Sequence, residues 1–278
     1  MSSIAESPIV EPDWLEKNLD KVKIVEVDYD PASAYNIGHI PGALLIDWKR
    51  DLNRYPERDI IDKEGFEALM SRLGISNDDL VVLYGDYNNW FAAFAYWVFK
   101  IYGHEKVKIL NGGRKKLIEL GKPLTKDVPQ PKPTSYKVTK VDLTIRASFL
   151  DVLKSLRNPK VVLVDVRSPA EYRGEITAPP EYPNEAAQRG GHIPGAINIP
   201  CAEVVKEDGT FKSVEELRAL YESKGVTKDK EVIVYCRIGE RAAQTFFVLK
   251  ELLGYPKVRL YDGSWSEWGN MIDVPIEK

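Results

Sequence analysis

The sequence has 278 residues, of which 44% are hydrophobic, and this length predicts two domains that each bury a core. A net charge of −3 gives no reason to expect nucleic-acid binding, so an anionic ligand would need a local positive site. The two cysteines, Cys201 and Cys236, lack metal-ligand spacing, and we expect no metal and no cofactor. The sequence contains neither a membrane-spanning run nor a signal-peptide pattern, which predicts a cytoplasmic protein without membrane contact.

The chain contains two copies of one pattern. Three stretches of the first half return in the same order in the second, namely 38–43 with 191–196, 81–84 with 232–235 and 101–112 with 252–263. The last two pairs are 151 residues apart, and an excess of about sixteen residues in the second copy falls near 174–189. A period this long that occurs twice predicts two similar domains.

The segment between the copies is polar and rich in proline at residues 126–135, which is typical of an extended linker. We therefore predict a first domain of residues 1–130, a linker of residues 131–141 and a second domain of residues 142–278.

Short apolar runs alternate with helical periods in each half. In the second half, residues 161–164, 232–235 and 257–261 are predicted as strands. Ser213 is the expected N-cap of a helix, with Glu216 completing a capping box. This alternation predicts an α/β fold in both domains, each with a mainly parallel central sheet flanked by helices.

Cys236 lies where a predicted buried strand ends and a helix begins. A thiol at this place would experience the positive end of the helix, the N–H groups of the turn and the charges of Arg237 and Arg241. Each of these favours the thiolate, so the sequence predicts a nucleophile that carries a negatively charged group.

The copy of this loop in the first half lacks the nucleophile. Gly85 is aligned with Cys236, and Asp86 is aligned with Arg237. This loss predicts a single active site in the second half and a catalytically inactive first half. His192 has a twin in His39 and is therefore expected to have a structural role shared by both copies.

Three chemistries are open to a thiolate at such a turn: acyl, phosphoryl and sulfur transfer. Acyl transfer usually needs a histidine base, which the expected structural role of His192 does not supply. Cysteine phosphatases use a Cys-x5-Arg loop, whereas Cys236 and Arg241 are separated by four residues. The shorter loop suits a terminal sulfur better than a tetrahedral phosphoryl group.

At this point the chain resembles the tandem-domain rhodanese family of thiosulfate sulfurtransferases, over residues 5–275. The resemblance is carried by four segments in family order, 165–167, 191–196, 236–241 and 261–268. It implies two rhodanese-like domains, of which the second is catalytic. It also implies that Cys236 takes a sulfane sulfur from a small anionic donor, thiosulfate, as a persulfide and passes it to cyanide or a thiol.

The resemblance also implies roles for individual residues. The loop that holds the substrate and the persulfide would be Arg237, Ile238, Gly239, Glu240 and Arg241. Supporting roles are expected for Asp165, Arg173, Asp262 and Ser264. Glu240 is expected to be a helix-terminal charge rather than a base, and Cys201 is expected in the core.

The donor is the least determined part of this hypothesis. Arg237 places the chain in the thiosulfate branch, whereas 3-mercaptopyruvate enzymes typically carry glycine there. Two cations of the family pattern are absent, because Ile238 replaces a lysine and Glu171 replaces an arginine, for which Arg173 could substitute. The alternatives are a 3-mercaptopyruvate sulfurtransferase, a cysteine phosphatase and a non-catalytic sulfur-sensing module.

Overall fold

The computed structural model describes residues 7–180 and 185–278, and these form two compact units. One unit extends up to Asp142 and includes Glu207–Thr210, whereas the other comprises Leu143–Lys206 and Phe211–Lys278. Part of the excess expected near 174–189, residues 181–184, lies outside the described residues.

The first unit is built on a five-stranded parallel sheet of order β1-β7-β6-β2-β3. Its strands are β1 (Ile9–Val10), β2 (Lys23–Asp28), β3 (Leu44–Asp47), β6 (Val81–Tyr84) and β7 (Val107–Leu110), with a small antiparallel pair, β4 (Asn53–Arg54) and β5 (Asp59–Ile60). Its helices are α1 (Pro12–Glu16), α2 (Trp48–Asp51), α3 (Lys63–Arg72), α4 (Trp90–Ile101) and α5 (Gly113–Glu119).

The second unit is built on a four-stranded parallel sheet of order β11-β10-β8-β9. Its strands are β8 (Val161–Asp165), β9 (Ile197–Asn198), β10 (Glu231–Tyr235) and β11 (Val258–Leu260). Its helices are α6 (Phe149–Ser155), α7 (Pro169–Tyr172), α8 (Val214–Glu222), α9 (Glu240–Phe247) and α10 (Ser264–Trp268), and a π-helical turn (Val248–Leu252) continues α9.

The predicted α/β class with parallel sheets is confirmed. Strands β6 and β10 lie inside their sheets, and their β-branched and aromatic residues are buried on both faces. Such continuous apolar runs are characteristic of parallel strands with both faces covered. The predicted capping box is also present, since Ser213 Oγ accepts from the Glu216 N–H at 3.2 Å and Glu216 Oε2 accepts from the Ser213 N–H at 2.8 Å.

Within the described residues, none of the helices combines the length and the apolar character needed to cross a bilayer.

The Gly-His-Ile-Pro-Gly-Ala motif builds the same corner in both units. The His39 ring stacks on Tyr35 with centroids 3.7 Å apart, and Nδ1 donates to the Tyr35 carbonyl at 3.0 Å. The His192 ring stacks on Tyr172 at 3.6 Å, and its Nδ1 donates to that carbonyl at 2.9 Å. Because the first unit has the same geometry without a cysteine in its loop, the contacts of His192 are structural and do not depend on Cys236.

Replacing either histidine should therefore destabilise its own unit by a similar amount. His39→Ala and His192→Ala each remove a stacked ring and the Nδ1 hydrogen bond, which together contribute about 2 kcal/mol. Each also removes one contact of Nε2, with the Asp127 carbonyl at 3.1 Å for His39 and with Glu277 at 3.5 Å for His192. The free energy of unfolding, measured in urea for both variants and the wild type, checks this. A large loss in only one variant would contradict the structural equivalence of the two corners.

Candidate active site

Cys236 lies at the carboxyl end of the central strand β10, directly before α9. Its side chain is fully buried, and its Sγ accepts the Gly239 N–H at 3.2 Å. Gly239 forms the N-cap of α9 with φ +97°, a conformation that favours glycine. The turn thus brings a backbone N–H and the N-terminus of a helix to the sulfur, at the sheet edge where parallel α/β folds bind ligands.

The turn after β11 holds the cysteine by its backbone. Ser264 Oγ accepts the Cys236 N–H at 3.0 Å and donates to the Tyr261 carbonyl at 2.7 Å. The Trp265 N–H donates to the Cys236 carbonyl at 3.0 Å. These contacts place Ser264, one of the expected supporting residues, directly against the loop.

Glu240 turns its side chain back toward the cysteine. The Cys236 thiol donates to Glu240 Oε2, with 3.3 Å between sulfur and oxygen. Burial and, after it, the Glu240 charge raise the pKa of Cys236 to about 11, although Arg241 and the Ala242 N–H act in the opposite direction. The sequence predicted a stabilised thiolate and a Glu240 that is only a helix-terminal charge, but here burial and the carboxylate outweigh the helix N-terminus.

Arg241 forms a buried ion pair with a carboxylate from a different part of the chain. Its Nη1 and Nη2 atoms donate to Glu171 Oε2 and Oε1 at 2.8 and 2.9 Å. Its Nε also lies 3.4 Å from Glu240 Oε1. Burial opposes ionisation of Glu171, but the hydrogen bonds and charge of Arg241 prevail and lower the pKa of Glu171 to about 2.

Glu171 is therefore a member of the site that the sequence analysis noted only as a departure from the family pattern. It is the last residue of a capping box on α7, in which its Oε2 accepts from the Ser168 N–H at 3.0 Å and from Ser168 Oγ at 2.9 Å. The Ser168–Glu171 spacing in the sequence indicates a capping box, but it does not indicate that the Glu171 carboxylate also contacts Arg241.

The other two loop positions are buried as well. Arg237 is fully buried, and its carbonyl accepts the Ser266 N–H at 3.0 Å. Ile238 is 1% exposed, so an apolar side chain fills the place where the family pattern has a lysine. The loop thus combines buried charges with a buried hydrocarbon side chain.

Asp165 pairs with the arginine that follows it on the same strand end. Arg167 donates from Nε to Asp165 Oδ1 at 3.0 Å and from Nη2 to Oδ2 at 2.6 Å, and Nη2 also reaches the Gly191 carbonyl at 2.7 Å. The Arg167 guanidinium also lies 4.5 Å from the centre of the Trp265 ring. The Asp165 carboxylate thereby orients an arginine that joins the Gly191 corner to α10.

The remaining two expected supporting residues are engaged in ion pairs. Asp262 accepts from Arg146 Nε and Nη2 at 2.8 and 2.9 Å. Arg173 is exposed and pairs with Glu175 at 2.6 Å. The structure thus joins Cys236 through direct contacts to Gly239, Glu240 and Ser264, and through Glu240 to Arg241.

The aligned loop of the first unit keeps the backbone frame but fills its interior. The Arg114 N–H donates to the Gly85 carbonyl at 3.0 Å, as the Trp265 N–H does to Cys236. Asn89, aligned with Glu240, accepts the Gly85 N–H on Oδ1 at 3.0 Å and so replaces the serine hydroxyl of the second unit. A Cβ on Gly85 would lie 2.4 Å from the Val27 carbonyl oxygen, so this position excludes a side chain.

Cys201 is buried in the second unit, and burial raises its pKa to about 12. Across residues 7–180 and 185–278, no group of three or more histidine, cysteine or acidic side chains is arranged to hold a metal ion.

The comparison with protein families identifies the class of this chain. The rhodanese-like domain matches residues 11–119 and again residues 148–271. These two segments contain the two aligned loops and every strand of the two parallel sheets except β1. The chain therefore belongs to the rhodanese family and contains two copies of its domain.

Individual relatives cover nearly the whole chain. A protein of Thermus thermophilus named sulfur carrier protein TtuD is 57% identical over 275 residues, spanning 97% of this chain and 96% of the relative. A protein of Saccharopolyspora erythraea with the provisional name thiosulfate sulfurtransferase is 53% identical over 274 residues, spanning 98% and 96%.

Two solved structures have the same architecture. A variant of EanB in complex with ergothioneine superposes with a TM-score of 0.86 at 25% identity, covering 99% of this chain and 71% of the other. YnjE superposes with a TM-score of 0.87 at 24% identity, covering 98% and 68%, and this likeness concerns the fold alone.

Removing the carboxylate next to the thiol should make the thiol more acidic. In Glu240→Gln we expect the pKa of Cys236 to fall below about 11, because the Glu240 charge opposes formation of the thiolate. The ultraviolet absorbance of the thiolate, titrated against pH as the difference from Cys236→Ser, checks this. Glu215→Gln, an exposed first-turn position of α8, is the control. An unchanged or higher midpoint in Glu240→Gln would contradict the geometry.

The first unit should not tolerate a side chain at position 85, which is aligned with Cys236. Gly85→Ala should lower the free energy of unfolding by about 3 kcal/mol, because the Cβ would overlap the Val27 carbonyl oxygen. Gly121→Ala, at φ +62° with no atom close to the new Cβ, should cost about 1 kcal/mol. Equal losses in urea unfolding would show that space at Gly85 is not limiting.

Proposed function

We propose that this protein is a thiosulfate sulfurtransferase in which Cys236 carries the transferred sulfur as a persulfide. The observation that carries the proposal is the Cys236 sulfur, which accepts the Gly239 N–H at the N-terminus of α9 in the one loop of the two that has a cysteine. The first copy, with glycine at the aligned position, would be catalytically inactive.

The reaction begins with loss of the thiol proton to Glu240, which already accepts the hydrogen bond from the thiol. The thiolate attacks the outer sulfur of thiosulfate and forms a new sulfur–sulfur bond. The sulfur–sulfur bond of thiosulfate breaks, and sulfite leaves with the electron pair. The resulting Cys236 persulfide is attacked at its outer sulfur by cyanide or a thiolate acceptor, which regenerates the Cys236 thiolate.

The loop is suited to the anionic intermediate. The N–H groups of residues 237–241 and the helix N-terminus would stabilise the negative charge on the outer sulfur. Arg237 supplies positive charge for the donor and the leaving sulfite, and Arg241, which is paired with Glu171, is the second cation of the loop. Ser264 holds the cysteine backbone, and Asp165, Asp262 and Arg173 are proposed as more distant supports for this geometry.

The donor and acceptor are the finer parts of the proposal. Arg237, together with the relatives named as thiosulfate sulfurtransferases, supports thiosulfate over 3-mercaptopyruvate. The 57% identity to a protein named a sulfur carrier supports a second candidate, in which the persulfide is delivered to a thiol of another protein rather than to cyanide.

The persulfide can be tested by the mass of the purified protein. Thiosulfate treatment should add one sulfur, about 32 Da, and cyanide should remove it. Cys236→Ser should show no gain, whereas Cys201→Ser should behave like the wild type because Cys201 has no place in this chemistry. A cyanide-labile gain that persists in Cys236→Ser would refute the assignment.

Steady-state kinetics with alternative substrates distinguish the competing donors and reactions. If 3-mercaptopyruvate gives a far higher kcat/KM than thiosulfate, the enzyme belongs to the other branch of the family. Turnover of an aryl phosphate by the wild type, lost in Cys236→Ser, would instead favour a phosphatase.

A further inference from the structure

The positive charge of Arg241 is neutralised by two carboxylates before any donor binds. The Glu171 carboxylate accepts hydrogen bonds from Nη1 and Nη2 of Arg241 at 2.8 and 2.9 Å, and Glu240 Oε1 lies 3.4 Å from Arg241 Nε. Arg241 and Glu171 are 4% and 1% exposed, so solvent does not weaken this pair. A donor can use the Arg241 charge fully only if it competes with Glu171.

The charges of the loop balance without a ligand. Arg237 and Arg241 contribute two positive charges, Glu240 and Glu171 contribute two negative ones, and all four side chains are buried. Thiosulfate is a dianion with its charge spread over a compact head, and such a group is bound best by cations that no carboxylate holds. This loop therefore has little net positive charge to offer a dianion.

We propose that Glu171 is a specificity-determining residue, whose carboxylate withholds Arg241 from the donor and thereby disfavours dianionic thiosulfate relative to persulfide donors. This inference rests on the proposed sulfur transfer at Cys236 and refines its donor class. A persulfide has at most one negative charge at its reacting end, so its binding depends less on a released arginine. The Cys236 thiolate would attack the outer sulfur of the persulfide, the sulfur–sulfur bond of the donor would break, and the inner sulfur would leave as a thiolate with the electron pair.

The capping role of Glu171 does not explain its ion pair. In the capping box of α8, Glu216 accepts from the Ser213 N–H at 2.8 Å, although Glu216 is exposed. A capping box in this unit therefore forms with an exposed carboxylate. The burial of Glu171 against Arg241 is an additional feature, which a change of charge can test without removing the cap.

The decisive measurement is thiosulfate affinity in the Cys236→Ser background, where no turnover occurs. Adding Glu171→Gln should lower the Kd for thiosulfate about tenfold by calorimetry, because the amide keeps the cap but releases the charge of Arg241. Adding Glu175→Gln, which removes an exposed carboxylate paired with Arg173, should leave the Kd unchanged.

Two further variants attribute the effect to Arg241. Adding Arg241→Gln to Glu171→Gln should return the Kd to its starting value, since the loop then has its original net charge without the released arginine. Glu171→Asp keeps the charge and a side chain able to cap, but its shorter side chain cannot hold Arg241 as closely. Glu171→Asp should lower the Kd for thiosulfate by less than Glu171→Gln does, and it replaces Glu171→Gln in the test if that variant fails to fold.

In the enzyme with its cysteine, Glu171→Gln should raise the ratio of kcat/KM for thiosulfate to that for cysteine persulfide about tenfold. The thiosulfate change should lie mainly in KM. An unchanged or weaker thiosulfate Kd, or a gain that survives Arg241→Gln, would overturn the role of Glu171. Failure of the proposed function would differ, because no variant with Cys236 would then acquire sulfur from thiosulfate.

Discussion

The loop around Cys236 depends on the mutual neutralisation of charges that are buried beside its thiol. Arg237, Glu240, Arg241 and Glu171 are all removed from solvent, and an unpaired charge in such a place would cost several kcal/mol. The bidentate Arg241–Glu171 pair therefore joins α9 to α7, two helices far apart in the chain, and sets the position of Glu240 against the sulfur. Burial likewise raises the pKa of the Cys236 thiol, to about 11.

A buried thiol with a raised pKa is compatible with the proposed chemistry because its proton has a nearby acceptor. Glu240 Oε2 lies 3.3 Å from the sulfur, so ionisation needs a proton transfer within the loop rather than entry of water. The transfer moves the negative charge from the Glu240 carboxylate to the Cys236 sulfur, which already accepts the Gly239 N–H at the helix N-terminus. A donor with an electrophilic sulfur would then draw the ionisation forward by consuming the thiolate.

The sequence predicted the parts of this structure that depend on neighbouring residues. Strand β10, the Ser213–Glu216 box and the cysteine at a strand end follow from local patterns and from the duplication. The Arg241–Glu171 pair joins residues 70 positions apart, and no local pattern specifies it. The orientation of Glu240 was likewise missed, because a first-turn glutamate usually faces solvent and only the packed loop shows that this one is buried.

The two copies share one backbone frame but differ in the interior of the loop. In both units a backbone N–H from the turn after the last strand of the copy holds the carbonyl at the loop start, from Arg114 in one and Trp265 in the other. The acceptor of the first loop N–H differs between the units. Asn89, within the loop, accepts the Gly85 N–H, whereas Ser264, outside the loop, accepts the Cys236 N–H. Because Gly85 lies so close to the Val27 carbonyl, a single substitution could not place a cysteine in this loop without displacing the backbone. Packing, and not only the identity of one residue, thus keeps a thiol out of the first unit.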